Sequence, residues 1–206
     1  SCVKLNTQTL DCLMLHRFEH LHQWNKVVLK TLISLKKQGY IDKLGVSVES
    51  PEELIKVLDY CEIEFIQMPF NILDNRWEEG INKIIKTKVN RDLVVHARSA
   101  LLQGLLVSKD EDLWKRANVK SYDIVNRLES CCIKHNRSSV VDLCLTYVRS
   151  QSWVDGVVVG METLSQLDQN LSIFGNQLMK DDEIKDIAFS KPSLSENTLN
   201  PSNWRK

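Results

Sequence analysis

Five short apolar runs are spaced along this chain, and a helical pattern follows each one. The runs are residues 10–15 (LDCLML), 44–48 (LGVSV), 64–67 (EFIQ), 93–97 (LVVHA) and 156–159 (GVVV). Each is short, mostly apolar and often β-branched, as strands buried on both faces are. Between them the apolar residues recur at helical spacing. In 24–38, Trp24, Val28, Leu32 and Leu35 share one stripe, and Gly39 ends the helix. In 50–60 the start is spelled out by Ser50 as N-cap, Pro51 at the first helical position and Glu53 closing a capping box. Residues 77–88 and 122–135 are further helices. In 138–149, Val141, Leu145 and Val148 share a face. In 163–174 the stripe is Leu164, Leu167, Leu171 and Phe174, with Thr163 and Gln166 as a second capping box. Strand and helix alternate five times, with more than one helix between the fourth and fifth strands. This order predicts an α/β fold with a parallel sheet and helical crossovers. From Gly175 the chain turns polar, which predicts that residues 175–206 form a C-terminal extension packed on a body of residues 1–174.

The totals narrow the function classes. Hydrophobic residues make up 43% of 206, enough for a sizeable core. Lys+Arg and Asp+Glu stand at 27 each. A formally neutral chain gives no electrostatic reason to expect nucleic acid or an anionic membrane as partner. No apolar run is long enough to span a bilayer. The six cysteines form no CxxC pair and no small-scaffold spacing, so free thiols and a cytoplasmic location are expected. The chain starts at Ser rather than Met and shows no signal pattern, so the natural start is expected to lie elsewhere.

In α/β folds, chemistry collects past the carboxyl ends of the strands. Here those ends carry His16, Ser47, Gln67, then Arg98 and Ser99 with the LLQG stretch Leu101 to Gly104, and finally Gly160 before a capped helix. The N-terminus of that helix suits an anion. His16, His20 and His22 raise the question of a metal. His16 ends a strand, so the helical spacing that would bring it to His20 does not hold, and Arg17 beside it disfavours a cation. The expectation is no metal, with His16 kept as a hydrogen-bond donor or proton-transfer group.

The segments LDCLMLH, LGVSVESPEEL, IQMPFNILDNR, ARSALLQGLL and VVVGMETLSQLDQNL resemble, in order and spacing, the second half of the aldo-keto reductases, from about residue 5 to residue 174. The closing LNPSNW is similar to the ends of some bacterial members. The resemblance implies a (β/α)8 barrel that reduces aldehydes and ketones with NADPH or NADH. It implies that His16 is the active-site histidine and that Ser47 and Gln67 hold the nicotinamide carboxamide. Arg98 stands where many members stack a Tyr on the nicotinamide ring, a role a guanidinium plane can keep. Ser99, Leu101, Gln103 and Gly104 belong to the loop along the pyrophosphate, Gly160 lies at the last strand end, and Gln166 and Asn170 match positions near the adenosine. Val48 replaces the Asn that usually follows the Ser. No basic residue lies between Gly160 and Gln169 to clamp a 2′-phosphate.

A (β/α)8 barrel needs eight strands in about 250 residues, and five are found here. The family's first three strands carry the catalytic Asp, Tyr and Lys, which have no counterpart in this chain. The expectation is therefore an incomplete barrel, with about five of eight βα units, inactive alone and part of a reductase of small-molecule carbonyls when intact. Self-association into a homo-oligomer stays open. Two rival readings are a cofactor-binding regulatory protein and a metal-assisted barrel enzyme built on His16, His20 and His22.

Overall fold

A computed structural model describes residues 2–119, 122–190 and 192–204. The chain forms α1 (Cys2–Leu5), β1 (Leu10–Leu15), α2 (Gln23–Lys37), β2 (Ile41–Ser47), α3 (Pro51–Val57), β3 (Phe65–Pro69), α4 (Glu78–Lys88) and β4 (Val94–Arg98). It continues with α5 (Glu111–Arg116), α6 (Tyr122–Lys134), α7 (Val140–Arg149), β5 (Gly156–Val157), α8 (Leu164–Gly175), α9 (Asp181–Ser190) and α10 (Glu196–Leu199). The strands form a parallel sheet in the order β1-β2-β3-β4-β5, the α/β arrangement expected from the alternation. The chain divides into two compact units, the first Ser1–Pro69 with Arg76–His96, the second Phe70–Asn75 with Ala97–Lys206.

In the first unit, β2 is the buried strand. Ile41, Leu44, Val46 and Ser47 are all buried, and Ile41 brings the strand start three residues before the apolar run at 44. The register pairs Leu15 with Val46 and Ser47 with Gln67. Trp77, Leu54, Ile63 and Ile84 fill the helix side of the core. The Ser50 hydroxyl accepts the Glu53 N–H at 3.3 Å, while the Glu53 carboxylate reaches past Ser50 to the N–H of Glu49 at 2.7 Å. Helix α2 departs from its expected stripe: Trp24, Asn25 and Lys26 have φ of 47°, 51° and 64°, and Leu29 is its one buried residue. Trp24 is exposed, while Val28, Leu32 and Leu35 are half-buried. Among the described residues β1 is the edge strand of the sheet, and the apolar face of α2 is only partly covered.

The link from α3 to β3 is held by one side chain. The Arg91 guanidinium donates to the carbonyls of Leu58, Tyr60 and Ile63 at 3.0, 2.9 and 2.6 Å. A planar fork can serve several acceptors at once, and an ammonium cannot reproduce that geometry. Arg91→Ala is expected to lose about 2 kcal/mol by chemical denaturation, and Arg91→Lys to restore less than half of it. A loss below about 0.5 kcal/mol for the alanine variant would show that the clamp is incidental.

In the second unit, Phe70 lies stacked with Tyr147 (6.2 Å, 19°) and edge-on to Trp153 (4.9 Å, 77°). Burial pushes the Tyr147 phenol up to about 12, so it stays neutral across the working pH range. Helix α7 is the core helix, buried continuously from Asp142 to Val148. Helix α8 runs against expectation. Leu164 is 79% exposed, Leu171 63% and Phe174 38%, and Ile173 is the buried residue. Strand β5 is the last in the sheet order, and much of the apolar stripe of α8 is exposed. Arg149 covers part of Phe174, with its guanidinium 4.8 Å from the ring centroid. Helix α9 is tied to α6 where Lys134 and His135 both reach the Asp186 carboxylate, at 2.7 and 3.0 Å. No helix among the described residues is long and apolar enough to cross a membrane.

Candidate functional site

The residues marked at the strand ends fall into two sets, one in each unit. In the first unit, His16 is exposed and directly follows β1, Ser47 is the buried last residue of β2, and Gln67 is half-buried in β3. Ser47 and Gln67 are register partners, so their side chains leave the sheet on the same face. His16 comes one residue after Leu15, which pairs with Val46, so all three lie at one end of three adjacent strands. The Gln67 carbonyl also accepts the Val48 N–H at 2.9 Å, fixing the chain as it leaves β2. His20 and His22 do not join this set. His22 is edge-on to Phe18 at 5.1 Å and shares a 3.1 Å hydrogen bond with the Tyr60 hydroxyl. Among the described residues no group of three His, Cys, Asp or Glu could hold a metal ion.

The second unit contains a cleft of about 700 Å³. Arg98, Ser99, Leu101, Gln103 and Gly104 line it from the segment after β4; Gly160 and Gln166 line it from the segment after β5. Seven of the expected site residues thus share one cavity. Asn170, one turn further along α8, is half-buried and outside that lining. The cleft also holds Met161 and Glu162, which strand-end reading passed over because they lie in the loop beyond Gly160. Their signal was the capping box that follows. The Thr163 hydroxyl caps α8 by accepting the Gln166 N–H, and the Gln166 Oε1 accepts the Glu162 N–H at 2.7 Å, which pins the loop against the helix start.

The loop after β4 is unusual in its backbone. Ser99, Leu102 and Gln103 have φ of 61°, 48° and 54°, and Gly104 follows at 81°. Left-handed residues other than glycine cost roughly 1 kcal/mol each, and such strain tends to gather where a ligand is gripped. Tight turns hold it, with Leu102 N–H donating to Ser99 O at 2.8 Å and Leu105 N–H to Leu102 O at 3.0 Å. Buried Leu102, Leu105 and Leu106 anchor the loop from below. The cleft therefore offers a strained backbone loop, a guanidinium, hydroxyl and amide groups, and the N-terminus of a twelve-residue helix. Those groups suit an elongated ligand with phosphates and polar ends.

The family model for the aldo/keto reductases matches residues 1–189. This chain belongs to the aldo/keto reductase family. The match reaches beyond 5–174 at both ends. An uncharacterized oxidoreductase of Bacillus subtilis, YqkF, is 24% identical over 192 residues, covering 90% of this chain and 61% of its own length. The NADH-specific methylglyoxal reductase of Escherichia coli is 25% identical over 154 residues, 68% of this chain and 46% of that protein. The holo form of an aldo-keto reductase from Bacillus halodurans superposes with a TM-score of 0.75 at 21% identity, covering 96% of this chain and 64% of that one. This aldo/keto reductase chain has the family's fold and spans about half to two thirds of the length of these relatives.

Proposed function

We propose that this chain is the C-terminal portion of an NADH- or NADPH-dependent oxidoreductase that reduces an aldehyde or ketone, working in the cytoplasm on a small-molecule substrate. The observation that supports it most directly is the second unit's cleft, where the strained Ser99–Gly104 loop faces the capped start of α8. The fit to a dinucleotide rests on donor chemistry. The Ser99 hydroxyl and the Gln103 amide can hold phosphate oxygens, the Arg98 guanidinium can stack on the nicotinamide ring, and Gln166 can meet the adenosine end with Asn170 behind it. In the first unit, taken by itself, the adjacent Ser47 and Gln67 supply a hydroxyl and an amide, the groups that the resemblance assigns to a carboxamide. When bound, the nicotinamide supplies the hydride. His16 donates a hydrogen bond to the substrate carbonyl oxygen, orients it and supports the charge that develops there.

His16 is the single family acid–base residue that the resemblance places in these 206 residues. Without the Asp, Tyr and Lys there is no general acid to protonate the alkoxide, so the chain alone binds nucleotide and does not turn over carbonyl. The test is titration of the purified chain with NADH and with NADPH by calorimetry, followed by addition of a reactive aldehyde. Saturable binding of at least one nucleotide without loss of reduced-nicotinamide absorbance is expected. Failure of both to bind removes the dinucleotide reading; clear turnover removes the claim of dependence on absent residues. Nucleotide binding without turnover by a longer form of the protein would favour a regulatory, cofactor-binding role.

A further inference from the structure

Among the described residues lining the second unit's cleft, Arg98 is the one cation and Glu162 the one acid. They belong to different walls, Arg98 to the segment after β4 and Glu162 to the segment after β5. A ligand carrying phosphates places them along the Ser99–Gly104 loop and turns a neutral part to Glu162. A carboxylate in a dinucleotide site is the usual acceptor for a ribose diol, whereas a 2′-phosphate is usually met by an arginine. Glu162 is fixed there through its backbone. Its backbone N–H is locked to Gln166 Oε1 at 2.7 Å, and Thr163 immediately after it caps α8. No cation among the described residues pairs with its carboxylate, and no Lys or Arg occurs from Gly160 to Gln169. Asp168, on the first turns of α8, adds a second negative charge to that segment.

We propose that Glu162 makes this cleft selective for the nucleotide with a free ribose 2′-hydroxyl, NADH, over the one with a 2′-phosphate, NADPH. The inference rests on the dinucleotide reading of the cleft. Its physical basis is a difference between two ligands. The Glu162 carboxylate accepts a hydrogen bond from the 2′-hydroxyl, while a phosphate in that place brings nearly two negative charges against it, with no Lys or Arg in the segment from Gly160 to Gln169 to offset them.

The test measures affinities of the full 206-residue chain for NADH and NADPH, and for the adenosine diphosphate fragments with and without a 2′-phosphate. NADH is expected to bind at least about tenfold more tightly than NADPH, and the two fragments to differ in the same sense. Glu162→Gln is expected to narrow the gap and Glu162→Arg to close or reverse it. The side chain is exposed, so both variants should keep the parent's melting curve, and that curve is recorded alongside. Equal or tighter binding of NADPH by the parent chain overturns the inference and leaves the dinucleotide reading intact. So does a preference that neither variant moves. If neither nucleotide binds, the dinucleotide reading falls and takes this inference with it.

Discussion

Asp142→Ala is expected to destabilise the second unit by about 3 kcal/mol, with the chemical denaturation midpoint falling accordingly. Asp142 is 2% exposed at the start of α7. One carboxylate oxygen accepts the Ser138 N–H at 2.9 Å and the Ser138 hydroxyl at 3.0 Å; the other accepts the Thr146 hydroxyl at 2.9 Å. The Ser139 hydroxyl returns the favour by accepting the Asp142 N–H at 3.1 Å, closing a capping box. Alanine would leave the backbone donor and Thr146, which is wholly buried, without that acceptor. It would also remove a negative charge from the N-terminal turn of the core helix.

The same network makes the loss depend on pH. Burial pushes the Asp142 carboxyl up, but the hydrogen bonds from Ser138, Thr146 and Asn176 together outweigh it and hold the group below the usual carboxylate range. A folded-state value below the unfolded one means that ionised Asp142 stabilises the fold above about pH 4. That contribution disappears as pH falls through the lowered value. Parent and Asp142→Asn proteins should therefore differ most near neutral pH and converge in acid. A difference that stays constant from pH 7 downward would show that ionisation of Asp142 is not what holds the turn.

Asp142 also shows what could and could not be read from the residues in advance. The helix over 138–149 followed from its apolar spacing, and Ser139 three residues before Asp142 carried the same signal as the boxes at Ser50 and Thr163. Both of those boxes formed, with the far end of each landing on the amide before the cap. Strand positions were readable for a similar local reason: a β-branched run bounded by turn residues has few alternatives. The face of α8 was not readable. Periodicity says that Leu164, Leu167, Leu171 and Phe174 lie together, but the neighbours in the sheet decide whether anything covers them. In the candidate site, residues at strand ends could be marked one at a time. The adjacency of Ser47 and Gln67 depends on register, and the place of Glu162 depends on how its loop folds back on Gln166. Both are set by tertiary pairing rather than by local pattern.

Gly45 is a second position where register decides the outcome, and Gly45→Val is expected to cost about 3 kcal/mol. Gly45 lies in β2 between Met14 of β1 and Phe65 of β3. A Cβ there would sit 3.0 Å from the Phe65 Cβ, 3.0 Å from the Phe65 carbonyl oxygen and 3.3 Å from the Cys12 sulfur. Two of these contacts belong to, or are fixed by, the neighbouring backbone, and Phe65 is held in turn by His96, edge-on at 4.5 Å. The strands cannot separate to make room, because their spacing is set by ladder hydrogen bonds. Gly45→Ala gains up to about 1 kcal/mol from a less flexible unfolded chain, which offsets part of the crowding, so its net loss should be roughly 1 kcal/mol. Valine adds two methyl groups to the same space with no further entropic gain of that size. Gly175→Ala is the uncrowded comparison: a Cβ at Gly175 meets nothing within 4 Å, so the gain of up to about 1 kcal/mol stands unopposed. Measured by urea denaturation, the expected order is Gly45→Val well below Gly45→Ala, with Gly175→Ala at or above the parent. A Gly45→Val protein as stable as the parent would mean that β2 and β3 do not hold the register that sets Ser47 beside Gln67, and the first unit's share of the candidate site would fall with it.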